Sequence, residues 1–235
     1  VHERNRLDLY LPSDDGPVPV IVWVHGGGWK AGDKAQVPSF VLPFLKRGYA
    51  VCSVNYRLSD HDWPAPIADV KAAIRWLRLN AETYGLAPDK IGAWGSSAGG
   101  HLVALLGVTA GEKTLDDPEH ADLDQSSEVQ AVVDYYGPAE FLTMDEDVVA
   151  NGCPNNALCH LCQGSPEETL VDCGAALTQC PDKAASASPI TYVDAADSPF
   201  LVVHGSDDCT VPTPQSERMH AALTQSGVDS IYILT

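Results

Sequence analysis

Strand-like and helix-like stretches alternate along most of the 235-residue chain. The runs "VPVIVWV" and "YAVCSVNY" are nearly continuous in apolar residues, which is typical of strands buried on both faces of a sheet. Apolar residues then recur at helical spacing from Ile67 to Leu77, with basic residues between them, which predicts an amphipathic helix. Further strand-like runs are "RLDLYLP", "DKIGAWGSS", "VQAVVDYYG", "SPFLVVHG" and "DSIYIL", and further helix-like runs are "AGGHLVALLGV" and "QSERMHAALTQSG". This order predicts one α/β domain over residues 1–235, with a mostly parallel sheet and helices on both faces.

A polar, cysteine-rich stretch from about residue 140 to residue 190 interrupts this alternation after a strand. We expect it to form a short, lid-like insertion over the carboxyl edge of the sheet, where α/β proteins bind ligands. The prediction is therefore a single domain with one decorated loop.

The seven cysteines fall into two groups. Cys52 lies in a strand-like apolar run and is predicted to be a buried free thiol. The other six are Cys153, Cys159, Cys162, Cys173, Cys180 and Cys209. Their segment has little apolar material, so we predict three disulfides, each contributing about 3 kcal/mol, with the pairing left open. Such bonds indicate an oxidising compartment and hence a secreted or periplasmic protein. A zinc site built around Cys159-His160-Leu161-Cys162 is the alternative, although a second C-x-x-C is absent.

Charge is distributed unevenly along the chain, whose net charge is −18. Residues 114–235 hold 21 of the 32 acidic side chains but only 2 of the 14 basic ones. That half would repel nucleic acid and anionic membrane surfaces, and we interpret it as a solvated acidic surface. Because no apolar run approaches about 18 residues, no membrane span is expected either.

The stretch "AWGSSAGGHL" places Ser97 between Gly95 and Gly99 in the pattern G-x-S-x-G. The pattern is weak alone, but here a strand-like run precedes it and a helix-like run follows it. Small residues would relieve clashes at such a strand-to-helix turn and leave the Ser97 hydroxyl exposed at a helix N-terminus. A structural Ser-Gly turn or a phosphate-binding loop is the alternative, but no G-x-x-x-x-G-K-[ST] or G-x-G-x-x-G follows any strand.

A serine nucleophile needs donors for the oxyanion, and "HGGGW" supplies glycines at the end of the first long strand. We predict that the N–H groups of Gly27, Gly28 and Ala98 form the oxyanion hole. His25 is expected to orient this loop rather than transfer protons. Trp29 is predicted to border the acyl or alcohol pocket, although an aromatic residue at a strand end is as often simple packing.

Two adjacent carboxylates, Asp207 and Asp208, follow a late strand in "LVVHGSDDCTVP". In enzymes with this serine turn the acid follows the nucleophile in the chain and precedes the histidine. We choose Asp208 as the catalytic acid, with Asp207 as the alternative. Both could instead be solvated turn residues or a helix cap.

The chain resembles the α/β-hydrolase esterases that carry an H-G-G-G oxyanion motif, as the hormone-sensitive-lipase-like enzymes do. It is most similar to secreted bacterial esterases of the feruloyl and acetylxylan esterase groups. The stretches that carry the resemblance are "WVHGGGW", "VNYRLS", "DVKAAIRWLR", "WGSSAGGHL", "VVDYYGP", "SPITYV" and "VVHGSDDCTVP". The resemblance implies an α/β-hydrolase fold, Ser97 as nucleophile, Gly27 and Gly28 in the oxyanion loop, and Asp208 as the acid. The cysteine-rich insertion departs from the usual family pattern.

The family's catalytic histidine lies just beyond the last strand, which here is "SIYILT", ending at Thr235. The family's first strand is also missing, so we expect that both ends are cut and that the histidine follows Thr235 by a few residues. His220 lies in a helix on the outside of the sheet, and His101 has the wrong chain order for a base. We expect His101 to be a packing residue.

Together these features predict a serine carboxylesterase that hydrolyses short-chain or aryl esters through an acyl-enzyme on Ser97. The resemblance implies small-molecule esters as substrates, and acetyl or feruloyl groups on plant polysaccharide as a further class. No metal or organic cofactor is implied. The alternatives are an amidase or arylformamidase using the same site, and a non-catalytic binding relative that lacks the histidine.

Overall fold

The computed structural model describes residues 2–13, 16–120, 122–154 and 157–235. Seven strands form one sheet in the order β1-β3-β2-β4-β5-β6-β7, and every pairing except that of β1 with β3 is parallel. The strands are β1 (Leu7–Tyr10), β2 (Val18–Val24), β3 (Ala50–Val54), β4 (Leu86–Ser96), β5 (Ala131–Tyr135), β6 (Phe200–His204) and β7 (Ser230–Leu234). The predicted α/β-hydrolase fold, with its mostly parallel sheet, is confirmed.

The described residues contain the three predicted helices, which begin at Ala65, Ala98 and Pro214, and four shorter helices that the sequence pattern did not predict. They are α1 (Ala65–Leu79), α2 (Ala81–Tyr84), α3 (Ala98–Val108), α4 (Met144–Ala150), α5 (Pro166–Val171), α6 (Pro181–Ser186) and α7 (Pro214–Gln225). Short 3-10 turns cover Leu42–Arg47, Phe141–Thr143, Leu177–Gln179 and Pro189–Tyr192. None of the helices in the described ranges combines the length and the apolar character needed to cross a membrane.

Alternate residues of the strands face two apolar cores, as the pleat of a sheet requires. Val22 of β2 and Cys52 of β3 are paired neighbours on the face that packs against α1, α3 and α7. Trp23 and Val51 belong to the opposite face, where the chain around the Leu42–Arg47 turn covers β2 and β3. Cys52 is fully buried with a free thiol, as predicted.

The cysteine-rich insertion contains α4, α5 and α6, together with short turns. Residues 155 and 156 of this predicted insertion lie outside the described residues. Its cysteines form three disulfides, which join Cys153 to Cys209, Cys159 to Cys162, and Cys173 to Cys180. The three predicted disulfides are confirmed, and the zinc alternative is wrong because Cys159 and Cys162 are bonded to each other.

A buried ion cluster fastens the segment after α3 to helix α1. Lys71 Nζ is fully buried and lies 3.0 Å from Asp116 Oδ1, and Arg75 Nη2 donates to the same oxygen at 2.8 Å. Lys71 also donates to the carbonyls of Thr109 and Glu112. Burial alone would raise the pKa of the Asp116 carboxyl, but hydrogen bonds from Arg75 and Lys71 outweigh it and lower that pKa.

We expect Asp116→Ala to lower the free energy of unfolding by about 3 kcal/mol at pH 7, because two buried cations lose their carboxylate. Urea denaturation measures the effect, and Asp124→Ala at an exposed site is the control, with a loss below about 0.5 kcal/mol. Because the folded-state pKa of Asp116 is lowered, its stabilisation is present above the ordinary carboxyl pKa and disappears as the pH falls through the folded value. Equal stabilities for the two variants at pH 7 would contradict the structural role of Asp116.

Candidate active site

Ser97 occupies the turn between β4 and α3 with φ 55° and ψ −124°, a conformation that L residues rarely adopt. Its backbone N–H donates to the Tyr135 carbonyl on β5 at 2.8 Å, which fixes the turn against the neighbouring strand. The half-buried side chain makes no capping hydrogen bond to the helix that it precedes. The predicted strand–turn–helix context of Ser97 is present, and its hydroxyl forms no hydrogen bond within the described residues.

Glycines are required around this turn because backbone approaches backbone. A Cβ on Gly99 would lie 2.1 Å from the Val24 carbonyl oxygen, and one on Gly95 would lie 2.3 Å from the Gly99 oxygen. Neither distance is possible for real atoms. The G-x-S-x-G pattern therefore allows α3 to lie directly against the carboxyl end of β2.

Residues 25–31, which we call the oxyanion loop, follow β2 and lie beside Ser97. A Cβ on Gly26 would lie 3.3 Å from Ser97 Cβ and 2.8 Å from the Ser96 carbonyl oxygen. Gly27 and Gly28 have φ values of 122° and 56°. Within the described ranges, the N–H groups of Gly27, Gly28 and Ala98 donate no hydrogen bond. These three N–H groups are the ones predicted for the oxyanion hole, and that role stays a prediction.

The His25 ring contacts Gly26, Tyr56 and Arg4. Its Nδ1 lies 2.8 Å from the Gly26 carbonyl oxygen, and its ring stacks on Tyr56 at 4.5 Å. Arg4 Nη2 lies 3.5 Å from His25 Nε2 and donates to the Gly32 carbonyl at 2.9 Å. Burial lowers the pKa of His25, so the neutral ring donates from Nδ1 to Gly26. These contacts fit the loop-orienting role predicted for His25.

The Trp29 side chain of the oxyanion loop is buried. Its side chain is 2 % exposed, its indole N–H donates to His101 Nδ1 at 3.2 Å, and its ring contacts Phe141 edge-on. His101 Nε2 donates to the Ala187 carbonyl at 2.6 Å, and complete burial lowers the pKa of His101 to about 4. His101 is therefore a packing residue, as expected. Trp29 has a packing contact here, and its predicted place at the acyl or alcohol pocket stays a prediction.

Asp208 lies on the loop between β6 and α7, residues 205–213, which we call the acid loop. Its Oδ1 accepts hydrogen bonds from the N–H groups of Thr210 (2.8 Å) and Val211 (3.0 Å). Its Oδ2 lies 3.5 Å from Nε2 of the fully buried His204. Partial burial would raise the pKa of Asp208, but these hydrogen bonds outweigh it and lower the pKa, so the carboxylate is charged at neutral pH. Asp207 is exposed and makes no such contacts.

One strand, β5, separates the Ser97 turn from the acid loop. The Tyr135 carbonyl at its end accepts the N–H of Ser97, and the next residue, Tyr136, donates its N–H to the Val203 carbonyl on β6. The Tyr136 ring lies against His204 at a centroid distance of 6.1 Å. The structure thus brings Ser97 and Asp208 to one edge of the sheet through a continuous set of contacts.

The insertion contacts the oxyanion loop, which the sequence pattern did not reveal. Lys30 Nζ donates to the carbonyls of Gly164 (3.3 Å) and Ser165 (3.5 Å). A Cβ on Gly28 would lie 3.7 Å from Pro166 Cβ at the start of α5. A polar cleft of about 480 Å³ lies beside these contacts, lined by Ser59, Asp60, His61, Asp62, Gln163, Gly164, Glu168, Thr169, Asp172 and Gly174. No signal short of the tertiary structure would have linked these segments.

His220 is engaged away from the Ser97 turn. Its Nδ1 lies 2.9 Å from Ser230 Oγ, and its ring stacks on Tyr232 of the edge strand β7. Across the described part of the chain, no histidine forms a hydrogen bond with the Ser97 hydroxyl. The described part of the chain also contains no group of three or more side chains placed to bind a metal ion.

Comparison with known proteins identifies the family of the chain. The BD-FAE family model matches residues 7–223. The chain belongs to the BD-FAE family. The match spans the serine turn, the oxyanion loop and the acid loop, so the residues of the site all lie within the family region.

The BD-FAE chain is 36% identical over 233 residues to the esterase LipQ of Mycobacterium tuberculosis, covering 97% of this chain and 52% of LipQ. The chain thus spans about half the length of the curated relatives it matches. Among solved structures, a truncated carbohydrate esterase from gut microbiota matches with TM-score 0.88 and 34% identity, over 100% of this chain and 83% of that one. The propionate-bound esterase Est2 of Thermogutta terrifontis matches with TM-score 0.76 and 27% identity, over 97% and 77%.

The conformation of the oxyanion loop can be tested by two alanine substitutions. Gly28→Ala introduces a left-handed alanine without a clash, so we expect a loss of about 1 kcal/mol of unfolding free energy. Gly27→Ala would place its Cβ 2.3 Å from the Ala31 carbonyl oxygen, so we expect a loss larger by at least about 2 kcal/mol. Urea denaturation of both variants measures the difference, and equal losses would mean that the turn adopts another conformation.

Proposed function

We propose that this chain is the catalytic domain of a serine carboxylesterase that hydrolyses short-chain or aryl carboxylic esters. The observation that carries the proposal is the placement of Ser97, whose free hydroxyl lies on a strained strand-to-helix turn beside Gly26. Backbone strain clusters at functional sites, and the N–H groups of Gly27, Gly28 and Ala98 donate no hydrogen bond within the described residues. The esterases among its relatives agree with this chemistry.

In the proposed reaction, Ser97 Oγ attacks the ester carbonyl carbon and loses its proton to a general base. The N–H groups of Gly27, Gly28 and Ala98 stabilise the negative charge on the carbonyl oxygen, as does the N-terminus of α3. The alcohol then leaves with the proton, and an acyl-enzyme forms on Ser97. Water attacks this ester by the same route, which releases the acid and restores the serine.

The proposed base is a histidine oriented by Asp208, and we place it beside the acid loop at the carboxyl end of β7. Two backbone hydrogen bonds support this placement. The Thr235 N–H donates to the His204 carbonyl, and the Ser206 N–H donates to the Thr235 carbonyl, each at 2.8 Å. The end of β7 therefore lies against the start of the acid loop, which carries Asp208.

The proposed substrates are small esters, including acetyl or feruloyl groups carried by plant polysaccharide. The polar cleft beside α5 supports a hydroxyl-rich substrate, because its walls offer amide, hydroxyl and carboxylate groups to sugar hydroxyls. Residues 59–62 and residues 163–174 form two walls of this cleft, and both contact the oxyanion loop. The Ser59 N–H donates to the Trp29 carbonyl, and the Gly164 carbonyl accepts from Lys30. The carbohydrate esterase among the similar structures agrees with this class. Three disulfides support a secreted or periplasmic location.

The nucleophile is tested with Ser97→Ala in the full-length protein. We expect hydrolysis of p-nitrophenyl acetate to fall at least about a thousandfold, because no other nucleophile can form the acyl-enzyme. An organophosphorus ester should add one phosphonyl group to the parent protein and none to the variant, as measured by intact mass. Ser96→Ala is the matched control, with labelling and turnover retained. Undiminished turnover by Ser97→Ala would overturn the proposal.

The acid is tested by comparing Asp208→Asn with Asp207→Asn. We expect Asp208→Asn to lower kcat about a thousandfold or more, because an amide can neither orient the base nor stabilise its positive charge. The exposed Asp207 should tolerate the same change with kcat altered less than about twofold. The reverse result would assign the acid to Asp207.

A further inference from the structure

The acid loop is exposed or half-buried over residues 205–210, whereas Val211, Pro212 and Thr213 at its end are buried. The Asp208 carboxylate accepts hydrogen bonds from two N–H groups of the same loop and lies 3.5 Å from Nε2 of the buried His204, so its direction depends on the conformation of the loop. Any change in the loop therefore moves the carboxylate with it.

The insertion holds this loop through two adjacent anchors. The Asn151 side-chain amide donates to the Asp208 carbonyl at 2.9 Å, and its oxygen accepts from Thr213 Oγ1 at 2.6 Å. One side chain thus joins the middle of the acid loop to its end. Two residues further on, Cys153 is bonded to Cys209, the residue directly after Asp208.

Both anchors follow helix α4, which is itself held in place by other contacts. Asn151 follows helix α4, whose buried Asp147 accepts hydrogen bonds from Gln215 Nε2 (2.7 Å) and Arg218 Nη2 (2.9 Å) on α7. Gln215 Oε1 also accepts the N–H of Ala139 at 2.8 Å. Helix α4 is therefore secured to α7 independently of Asn151 and of the disulfide. Loss of either anchor loosens the middle of the acid loop without releasing α4.

We propose that Asn151 and the Cys153–Cys209 disulfide are positioning groups for Asp208, holding its carboxylate where it orients the catalytic base. The inference rests on the proposed function and extends the site into the insertion. Misplacement of a catalytic group by about 1 Å can lower the rate about a hundredfold. The rate should therefore depend on the two anchors that hold the acid loop in position. Substrate binding should depend on them far less, because neither group lies on the oxyanion loop.

The experiment measures kcat and KM for p-nitrophenyl acetate in the full-length protein. We expect Cys153→Ala/Cys209→Ala to lower kcat about tenfold or more, with KM altered less than about twofold. Cys173→Ala/Cys180→Ala removes a disulfide that lies wholly within the insertion and is the matched control, with kcat altered less than about twofold. Asn151→Ala leaves every disulfide in place and should lower kcat about fivefold, so the proposal stays testable if the cysteine variant does not fold.

A double-mutant cycle separates positioning from general destabilisation. In the Asp208→Asn background, removal of Asn151 should cause almost no further loss of kcat, because the group that it positions is already disabled. Losses that multiply would show that Asn151 acts elsewhere and would overturn the proposal. So would unchanged kcat in both the Asn151 and the Cys153/Cys209 variants while Ser97→Ala and Asp208→Asn are inactive. If Ser97→Ala and Asp208→Asn themselves retain full turnover, the proposed function fails, and this inference fails with it.

Discussion

The direct contact between the backbones of helix α3 and strand β2 is the constraint on which the site depends. No side chain fits between Gly99 and the Val24 carbonyl, so the helix axis passes closer to the sheet than packed side chains would allow. This approach forces Ser97 into its left-handed conformation and places the first turn of α3 beside the oxyanion loop. Ser97 and Gly26 of the oxyanion loop lie side by side because of it. The proposed nucleophile and the loop that carries its proposed donors are therefore parts of one steric arrangement.

The cysteine-rich insertion connects this arrangement to the acid loop, which lies on the other side of β5. One part of it, around Ser165 and Pro166, lies against the oxyanion loop, where Lys30 bonds its carbonyls. Another part, around Asn151, lies against the acid loop. A segment with little apolar material thus bridges two loops that belong to different strands. The disulfides supply the rigidity that a larger core would otherwise provide.

The features that sequence could predict are those set by neighbours in the chain. Alternating strand and helix patterns identified all seven strands, and the glycines around Ser97 identified its turn, because both signals extend over only a few residues. The anchors could not be predicted in this way. Asn151 and Asp208 are 57 positions apart, and an asparagine after a short helix carries no pattern that distinguishes a loop anchor from a cap. The cysteine pairing was open for the same physical reason, since six thiols in a polar segment have no local preference among partners.

Histidines show the limit of reading chemistry from residue type. His25, His101 and His204 all lie near the candidate site, and both ring nitrogens of each have a polar neighbour within 3.5 Å. A buried imidazole that joins two fixed groups is locked in one tautomer and orientation, so it cannot also turn toward a serine hydroxyl. Burial further lowers the pKa of His25 and of His101, which weakens each as a proton acceptor. These rings hold the loops that they join, so the base that we propose for Ser97 is a different histidine, one with a free nitrogen near Asp208.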